Sequence, residues 1–266
     1  MKFPHLLMIS LLFAACEEAP RAQDTTGTGS GTNTGTGTGT GTDTGTGTDD
    51  PSQGVGADNC ESLLTGIIRD FHNGHPDFYH SGYGYATTGM VQPYLDDDGK
   101  PVAGDVDFYS SNLYQWYRTI DGVNLAAELP LQLEEQEDGT YVFDTNLFFP
   151  LDNQGFGNDI QEYPEHNYLF TTEFSLNFVY ENGQVFTFRG DDDLWIFING
   201  VLAIDVGGIH SPVEATVNID DFNTNTGMGM IPGQEYPMRI FHAERNPTQS
   251  NFKITTSISC FSSVVI

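Results

Sequence analysis

Strict alternation of apolar and polar residues governs the second half of the chain. In "TTEFSLNFVY", residues 171–180, Phe174, Leu176, Phe178 and Tyr180 share one face while Ser175 and Asn177 share the other. A period of two is the signature of a strand with one buried side. "FKITTSISC" repeats it, with Phe252, Ile254, Ile258 and Cys260 in phase against Lys253, Thr255, Ser257 and Ser259. "VEATVNI" does so through Val213, Ala215, Val217 and Ile219. Tight-hairpin signals separate the runs, "ENGQ" at residues 181–184 and "NG" at Asn199 and Gly200. The predicted fold class is all-β, a sandwich or closed barrel with one or two short helices. One helix is expected in "SSNLYQWYRTI", where Leu113, Trp116, Tyr117 and Ile120 fall at i, i+3, i+4 and i+7 behind Ser110 or Ser111 as a cap. That spacing predicts a lid or plug packed on the sheet rather than a carrier of chemistry.

The alternating part occupies residues 60–266, and what precedes it differs in kind. Met1 and Lys2 lead into an apolar run ending in small residues before Cys16, the pattern of a secretory signal over residues 1–15. It is too short to span a bilayer as a mature helix. "LFAAC" resembles the lipobox of bacterial lipoproteins, which makes Cys16 the lipidated first residue of an exported chain; the alternative is a spare thiol beside an ordinary cleavage site. Glu17 and Glu18 follow, without the aspartate that retains lipoproteins at the inner membrane, so the resemblance implies an outer-membrane or cell-surface destination. The Thr-Gly repeat from Asp24 to Asp50 has no apolar residue to bury and is predicted to be a disordered tether within residues 16–59. A coil of that length spans roughly 35–40 Å root mean square.

Charge and cysteines narrow the partners. Nine basic side chains face 37 acidic ones, a formal net charge of −28, which disfavours nucleic acid and leaves divalent cations and neutral ligands. Beyond Cys16 there are two cysteines, Cys60 and Cys260, bracketing the β segment. In an oxidising compartment they are expected to form one disulfide; two buried free thiols are the alternative.

Enzyme signatures are missing: the sequence has no G-x-S-x-G, no H-E-x-x-H and no glycine-rich phosphate loop. The chain is therefore expected not to be an enzyme. The exceptional stretch is "FRGDDDLWIFING", which sets Asp191, Asp192 and Asp193 at the head of an apolar strand. Three adjacent anions near a hydrophobic wall need open water or a cation. Calcium prefers several hard oxygen ligands at once. A solvated, charge-blunted strand entry is the competing reading. "DDDG" at residues 96–99 reads as a hairpin turn, and "DDFNTNTG" at residues 220–227 as a second oxygen-rich candidate or a polar loop. The "RGD" of Arg189 to Asp191 joins two apolar runs and lacks a projecting loop, so an integrin reading is set aside. His210 and His242 stand without ligand-spaced partners and are expected to be packing histidines.

Several blocks of the segment, among them "LTGIIRDFHNGHPDF", "GMVQPYLDDDGKPV", "FFPLDNQGFGN" and "FHAERNPTQSNFKITTSI", resemble in order the bacterial fibro-slime domain from about Leu64 to Ile258. That domain is similar to the protective-antigen-type β-barrel of bacterial toxins, glycosidases, flocculins and adhesins. The wider family shows an Asp-Asp pair opening a block of about ten residues that ends in an acidic or amide residue with glycine, matched here from Asp191 and Asp192 to Asn199 and Gly200. Its late Glu-Arg-like pair is matched by Glu244 and Arg245.

In sugar-binding adhesins of that family the aspartate pair is joined by a cis peptide and holds a calcium ion that contacts sugar hydroxyls. The resemblance therefore implies Asp191 and Asp192 as calcium ligands, with Asp193, Asp205, Asn223 and Asn225 as less secure ones. Asp193 departs from the glycine common after the pair, so it is expected either behind the direct ligands or simply solvated, and to be the replaceable one of the three. Trp195 is a candidate for stacking on a sugar, or a core residue, since both faces of "LWIFI" are apolar. The implied function is a calcium-dependent carbohydrate-binding or adhesive surface lipoprotein; a structural envelope or matrix protein is the alternative.

Overall fold

The computed structural model describes residues 62–80, 84–158 and 160–264. The expected signal segment, Cys16, the Thr-Gly tether and Cys60 lie outside the described residues.

The alternating runs form two antiparallel sheets, with strands numbered in chain order. The larger runs β3 (Pro101–Ala103), β2 (Val91–Leu95), β10 (Val201–Val206), β9 (Asp193–Ile198), β12 (Glu235–Glu244), β7 (Phe170–Val179), β1 (Leu63–Phe71) and β4 (Asn124–Gln132). A short β14 (Phe261–Ser263) joins the edge of β7 that also carries β1: Gly66 to Asp70 pair with residues 174 to 170, and Phe261 to Ser263 with residues 178 to 176. The smaller sheet is β11 (Val213–Asn218), β8 (Val185–Gly190), β13 (Phe252–Thr256), β6 (Tyr141–Thr145) and β5 (Glu134–Glu135). The all-β prediction holds, with two short helices, α1 (Leu113–Trp116) and α2 (Ile219–Thr226).

Apolar alternation assigns the sheet faces. Phe174, Leu176 and Phe178 of β7, Ile196 and Ile198 of β9, and Met238 and Ile240 of β12 meet Phe186, Phe188, Phe252 and Ile254 of the smaller sheet in one core. The intervening residues of the same strands, Trp195, Phe197 and Phe241, enter a second core on the outer face of the large sheet, roofed by Leu113, Trp116 and Tyr117. Strand β9 is thus buried on both sides along its whole length, which explains why "LWIFI" does not alternate in hydrophobicity.

Four local expectations are corrected. "ENGQ" turns the chain at Gly183, φ 84°, but β7 and β8 lie in different sheets, so it is a crossover corner and not a hairpin. The predicted helix shrinks to one turn over Leu113–Trp116 with Asn112, not Ser110 or Ser111, ahead of it; the Asp77 carboxylate accepts from the Asn112 N–H at 2.8 Å. "DDFNTNTG" is no loop. Asn218 caps α2 by accepting from the Asp221 N–H at 3.0 Å, Asp220 and Asp221 sit in the first turn, and Gly227 ends it at φ 66°. Ile219, expected to prolong β11, is the first residue of that helix. By contrast Asn199 and Gly200 take φ 48° and 78° between paired β9 and β10, the left-handed pair that a two-residue hairpin requires.

Candidate cation and ligand site

The three aspartates sit where β8 of the small sheet passes into β9 of the large one. Gly190 ends β8 in close approach to β13, where a Cβ would lie 2.6 Å from the Asn251 carbonyl oxygen. The Asp191–Asp192 peptide is cis. None of the three carboxylates is solvated: Asp191 and Asp192 are each 4% exposed and Asp193 is fully buried. The solvated strand entry considered from sequence is therefore corrected.

Each aspartate has its own partner. Asp191 accepts from both nitrogens of Asn251, the backbone N–H to Oδ1 at 2.6 Å and Nδ2 to Oδ2 at 2.9 Å. Asp192 accepts from the backbone N–H groups of His210 at 3.2 Å and Arg245 at 3.1 Å. Asp193 takes the Arg245 side chain, Nε to Oδ2 at 2.6 Å and Nη2 to Oδ1 at 3.1 Å, and also the Gly208 N–H at 2.6 Å. Arg245 Nη1 donates to the carbonyl oxygens of Asp77, Phe108 and Tyr109, and its guanidinium lies 4.6 Å from the Trp116 ring centroid. Asp193 is therefore half of a fully buried ion pair, not a replaceable solvated residue.

That pairing leaves the others short of positive charge. Among the described residues no lysine or arginine side chain pairs with Asp191, Asp192 or Glu244. Glu244 is fully buried at the end of β12, and its Oε2 has no partner. Burial, with the neighbouring Asp193 charge, holds the Asp192 carboxyl well above its ordinary range. Burial followed by the charges of Asp192 and Asp191 does the same to Glu244. Asp191 is raised by burial against the pull of Asn251. Such upward displacement is what unneutralised carboxyls show when taken out of water. His210 Nδ1 donates to the Ser211 carbonyl oxygen at 2.9 Å, and its buried Nε2 has no partner. His242 donates through Nε2 to the Asp191 carbonyl oxygen at 2.8 Å, and burial lowers its pKa to about 4. Both are buried packing histidines, His242 against the Asp191 backbone and His210 against the Ser211 carbonyl.

The remaining sequence candidates lie elsewhere. Trp195 is fully buried and donates its indole N–H to Asp205 at 3.1 Å, so it cannot stack on a sugar at the surface. Asp205 spends its other oxygen on the Gly89 N–H at 2.8 Å. Asn223 bonds both ways with Met230, and Asn225 is exposed on α2. None of these three contacts Asp191 or Asp192. No group of three histidine, cysteine, aspartate or glutamate side chains gathers with metal-binding geometry among the described residues. An ion on the pair would complete its shell with amide, backbone or ligand oxygens, the donor set calcium favours. Cys260 stands immediately ahead of β14, half-buried, and its expected partner is outside the described residues. Asn251 was not anticipated, and Arg245, singled out only as half of the Glu-Arg-like pair, was given no partner: each meets its aspartate from more than 50 residues away in sequence.

Residues 150–261 match the family model of the PA14 domain. The chain is 38% identical over 209 residues to Protein psiD of Dictyostelium discoideum, covering 73% of this chain and 39% of psiD. It is 41% identical over 224 residues to Protein psiE of the same organism, covering 73% and 43%, and 33% identical over 217 residues to Protein psiR, covering 74% and 21%. The chain thus spans less than half the length of each of these relatives. Among solved structures, a PA14 sugar-binding domain from an RTX adhesin superposes with a TM-score of 0.32 at 10% identity, covering 76% of this chain and 95% of that one. The Epithelial Adhesin 9 A domain from Candida glabrata in complex with Galb1-4GlcNAc gives 0.33 at 13% identity, covering 77% and 94%.

Proposed function

We propose that the β head is a calcium-dependent carbohydrate-binding module of an adhesive surface protein, with Asp191 and Asp192 holding the ion and vicinal sugar hydroxyls completing its shell. One observation carries this reading: the buried carboxyls Asp191 and Asp192, whose charges also act on buried Glu244, have no lysine or arginine partner among the described residues, while the guanidinium of Arg245 is committed to Asp193. Leaving such charges unneutralised costs several kcal/mol each, and a divalent cation offsets that cost where a monovalent side chain is absent. The PA14 match includes the aspartate run and the Glu244–Arg245 pair. A binding role without catalysis agrees with the missing enzyme motifs.

A specific observation favours the alternative, an ion that only rigidifies the sheet junction. Every oxygen of Asp191 and Asp192 already accepts a protein N–H, and both side chains are nearly inaccessible. Calorimetric titration of calcium into the protein and its Asp192→Asn variant tests the ion. A glycan array with and without chelator then separates the readings. Sugar binding lost on chelation supports the first; calcium heat with no glycan signal in either condition supports the second; no heat at all ends the metal in both and leaves a structural envelope or matrix protein without one.

The finer identity belongs to the same proposal: a fibro-slime-type lipoprotein anchored through Cys16 to the outer membrane or cell surface, with Cys60 and Cys260 bridged and a matrix polysaccharide as partner. The curated relatives are Dictyostelium proteins, so the likeness extends beyond bacteria. Incorporation of labelled fatty acid by the natural chain and not by Cys16→Ser checks the anchor.

A further inference from the structure

The outer face of the large sheet gathers positive charge. Glu173 of β7 points there, since Phe174 and Leu176 fill the inner core, and it is fully buried. Two cations share it: Arg69 of β1 donates from Nη1 to Oε2 at 2.9 Å, and Lys100, immediately ahead of β3, donates from Nζ to Oε1. Four strands separate β3 from β7 in the sheet, so the β2–β3 hairpin folds over the outer face to bring Lys100 there. A third cation has no counter-charge. Arg239 of β12 stands directly opposite Ser175, the next outward residue of β7, and is half-buried with no ion pair or hydrogen bond among the described residues. Burial lowers the pKa of Lys100, Glu173 pulls it back, and the charges of Arg69 and Arg239 lower it further. Three cations thus meet one carboxylate in a chain whose net charge is −28.

Hydrogen-bond donors are left over on the same face. Arg69 Nε, Tyr117 Oη and Ser175 Oγ are buried without a partner, and each carries a proton. Register fixes their neighbourhood. Phe241 is directly opposite Glu173, with the Tyr117 ring centroid 4.8 Å from its own, and Arg239 with Ser175 is the next outward pair, about 7 Å along the strands. In folded proteins such buried groups are normally completed by a water or an ion.

We propose that this face holds a small free oxyanion of the sulfate or phosphate class, bound by Arg239, Ser175 and Lys100. The site is separate from the aspartate junction and independent of the calcium and carbohydrate readings. An excess of two positive charges around Glu173 matches a divalent anion. The donors come from three directions, β7 beneath, β12 beside it and the hairpin folded over, which suits a tetrahedral ion; a planar carboxylate is met best by a single guanidinium fork. Half-buried Arg239 is the side open to an entering ion, and the depth of Ser175 and Lys100 admits a free ion rather than a group carried on a polymer. Such an ion ties the β2–β3 hairpin, joined to β10 through the single pair of Val201 and Tyr94, to the middle of the sheet.

The test uses the full chain in chelator and without sugar, with sodium sulfate, phosphate or acetate replacing chloride at constant ionic strength, and reads binding by calorimetry and by the melting temperature. The expected result is saturable binding of sulfate or phosphate with a rise in melting temperature, weakened about tenfold in Arg239→Gln. Ser175→Ala separates the site from a merely unpartnered hydroxyl: it raises the melting temperature in chloride, where a buried donor without an acceptor is removed, yet lowers the affinity for sulfate. Lys253→Gln, which removes a cation from the other sheet, leaves sulfate binding as in the wild type. No binding beyond that of chloride, or an affinity unchanged in either Arg239→Gln or Ser175→Ala, would overturn the site, and acetate bound as tightly as sulfate would overturn the tetrahedral assignment. Calcium and glycan are absent throughout, so failure here leaves the proposed function untouched.

Discussion

Arg245 holds Asp193 through two nitrogens, Nε at 2.6 Å and Nη2 at 3.1 Å, with both side chains fully buried. The third aspartate of the run therefore serves the fold. Asp193→Asn leaves a guanidinium buried without its counter-charge, a change that costs about 3–5 kcal/mol. Urea denaturation is the measurement, and a loss below about 1 kcal/mol would mean that the three carbonyl acceptors of Arg245 suffice alone.

Asp192 and Glu244 make stability depend on pH in an unusual direction. Their ordinary values are 3.8 and 4.5, and both are raised in the folded chain by burial first. The folded state binds the proton more tightly, so their contribution is fully present below the unfolded values and is lost as pH rises through the folded ones. In chelator, thermal melts are expected to fall with rising pH, calcium to restore the loss, and Asp192→Asn to flatten the trend. Melts that do not change with pH in chelator would show that these carboxyls do not titrate in the fold.

His242 acts in the opposite sense. Its pKa is lowered from 6.5 to about 4 because the ring is buried, against the opposing pull of its hydrogen bond to the Asp191 carbonyl oxygen. The unfolded chain binds the proton between those values, so this contribution is present above pH 6.5 and is lost as pH falls towards 4. The displacement corresponds to roughly 3 kcal/mol. His242→Gln keeps a donor without a titrating ring, and the difference between the two pH profiles isolates the effect from the carboxyls. Parallel profiles from pH 4 to 7 would rule it out.

Trp195 separates core from contact surface. Trp195→Phe keeps most of the ring volume but removes the N–H that meets Asp205, leaving that carboxylate oxygen unpaired at a cost of about 1–3 kcal/mol. Any glycan affinity is expected to be unchanged, because the ring is fully buried. A lower melting temperature with altered sugar binding would return Trp195 to the site.

Legibility in the sequence followed the range of the forces involved. Alternation revealed β7, β11 and β13 because period two is a local consequence of one-sided burial. Asn199 and Gly200 revealed their hairpin because positive φ at both positions restricts which residues can stand there. The partner sheet of a strand is not local information. "ENGQ" therefore looked like a hairpin although Phe186 and Phe188 leave for the other layer. The aspartate run was visible as an electrostatic anomaly, but the division of labour within it was not. Arg245 chooses Asp193 over Asp192 through a fit of fork to carboxylate that no spacing encodes. Helix α2 was missed because its oxygen-rich residues suit a polar loop as well as a capped turn. The signal available was Asn218 three residues before Asp221, with Gly227 behind.

The placement of β1 has a mechanical consequence. It is hydrogen-bonded to β4 along its nine residues and to β7 along five, from Gly66 to Asp70. Ladder bonds lie perpendicular to the strands, so tension applied at Leu63 along the strand axis strains many of them together instead of peeling them one by one. Strand β7 passes that tension to β12, and β12 to β9 and the aspartate junction. Tension entering at Leu63 would thus load the sheet in shear, and the aspartate junction would feel it through three strand pairings.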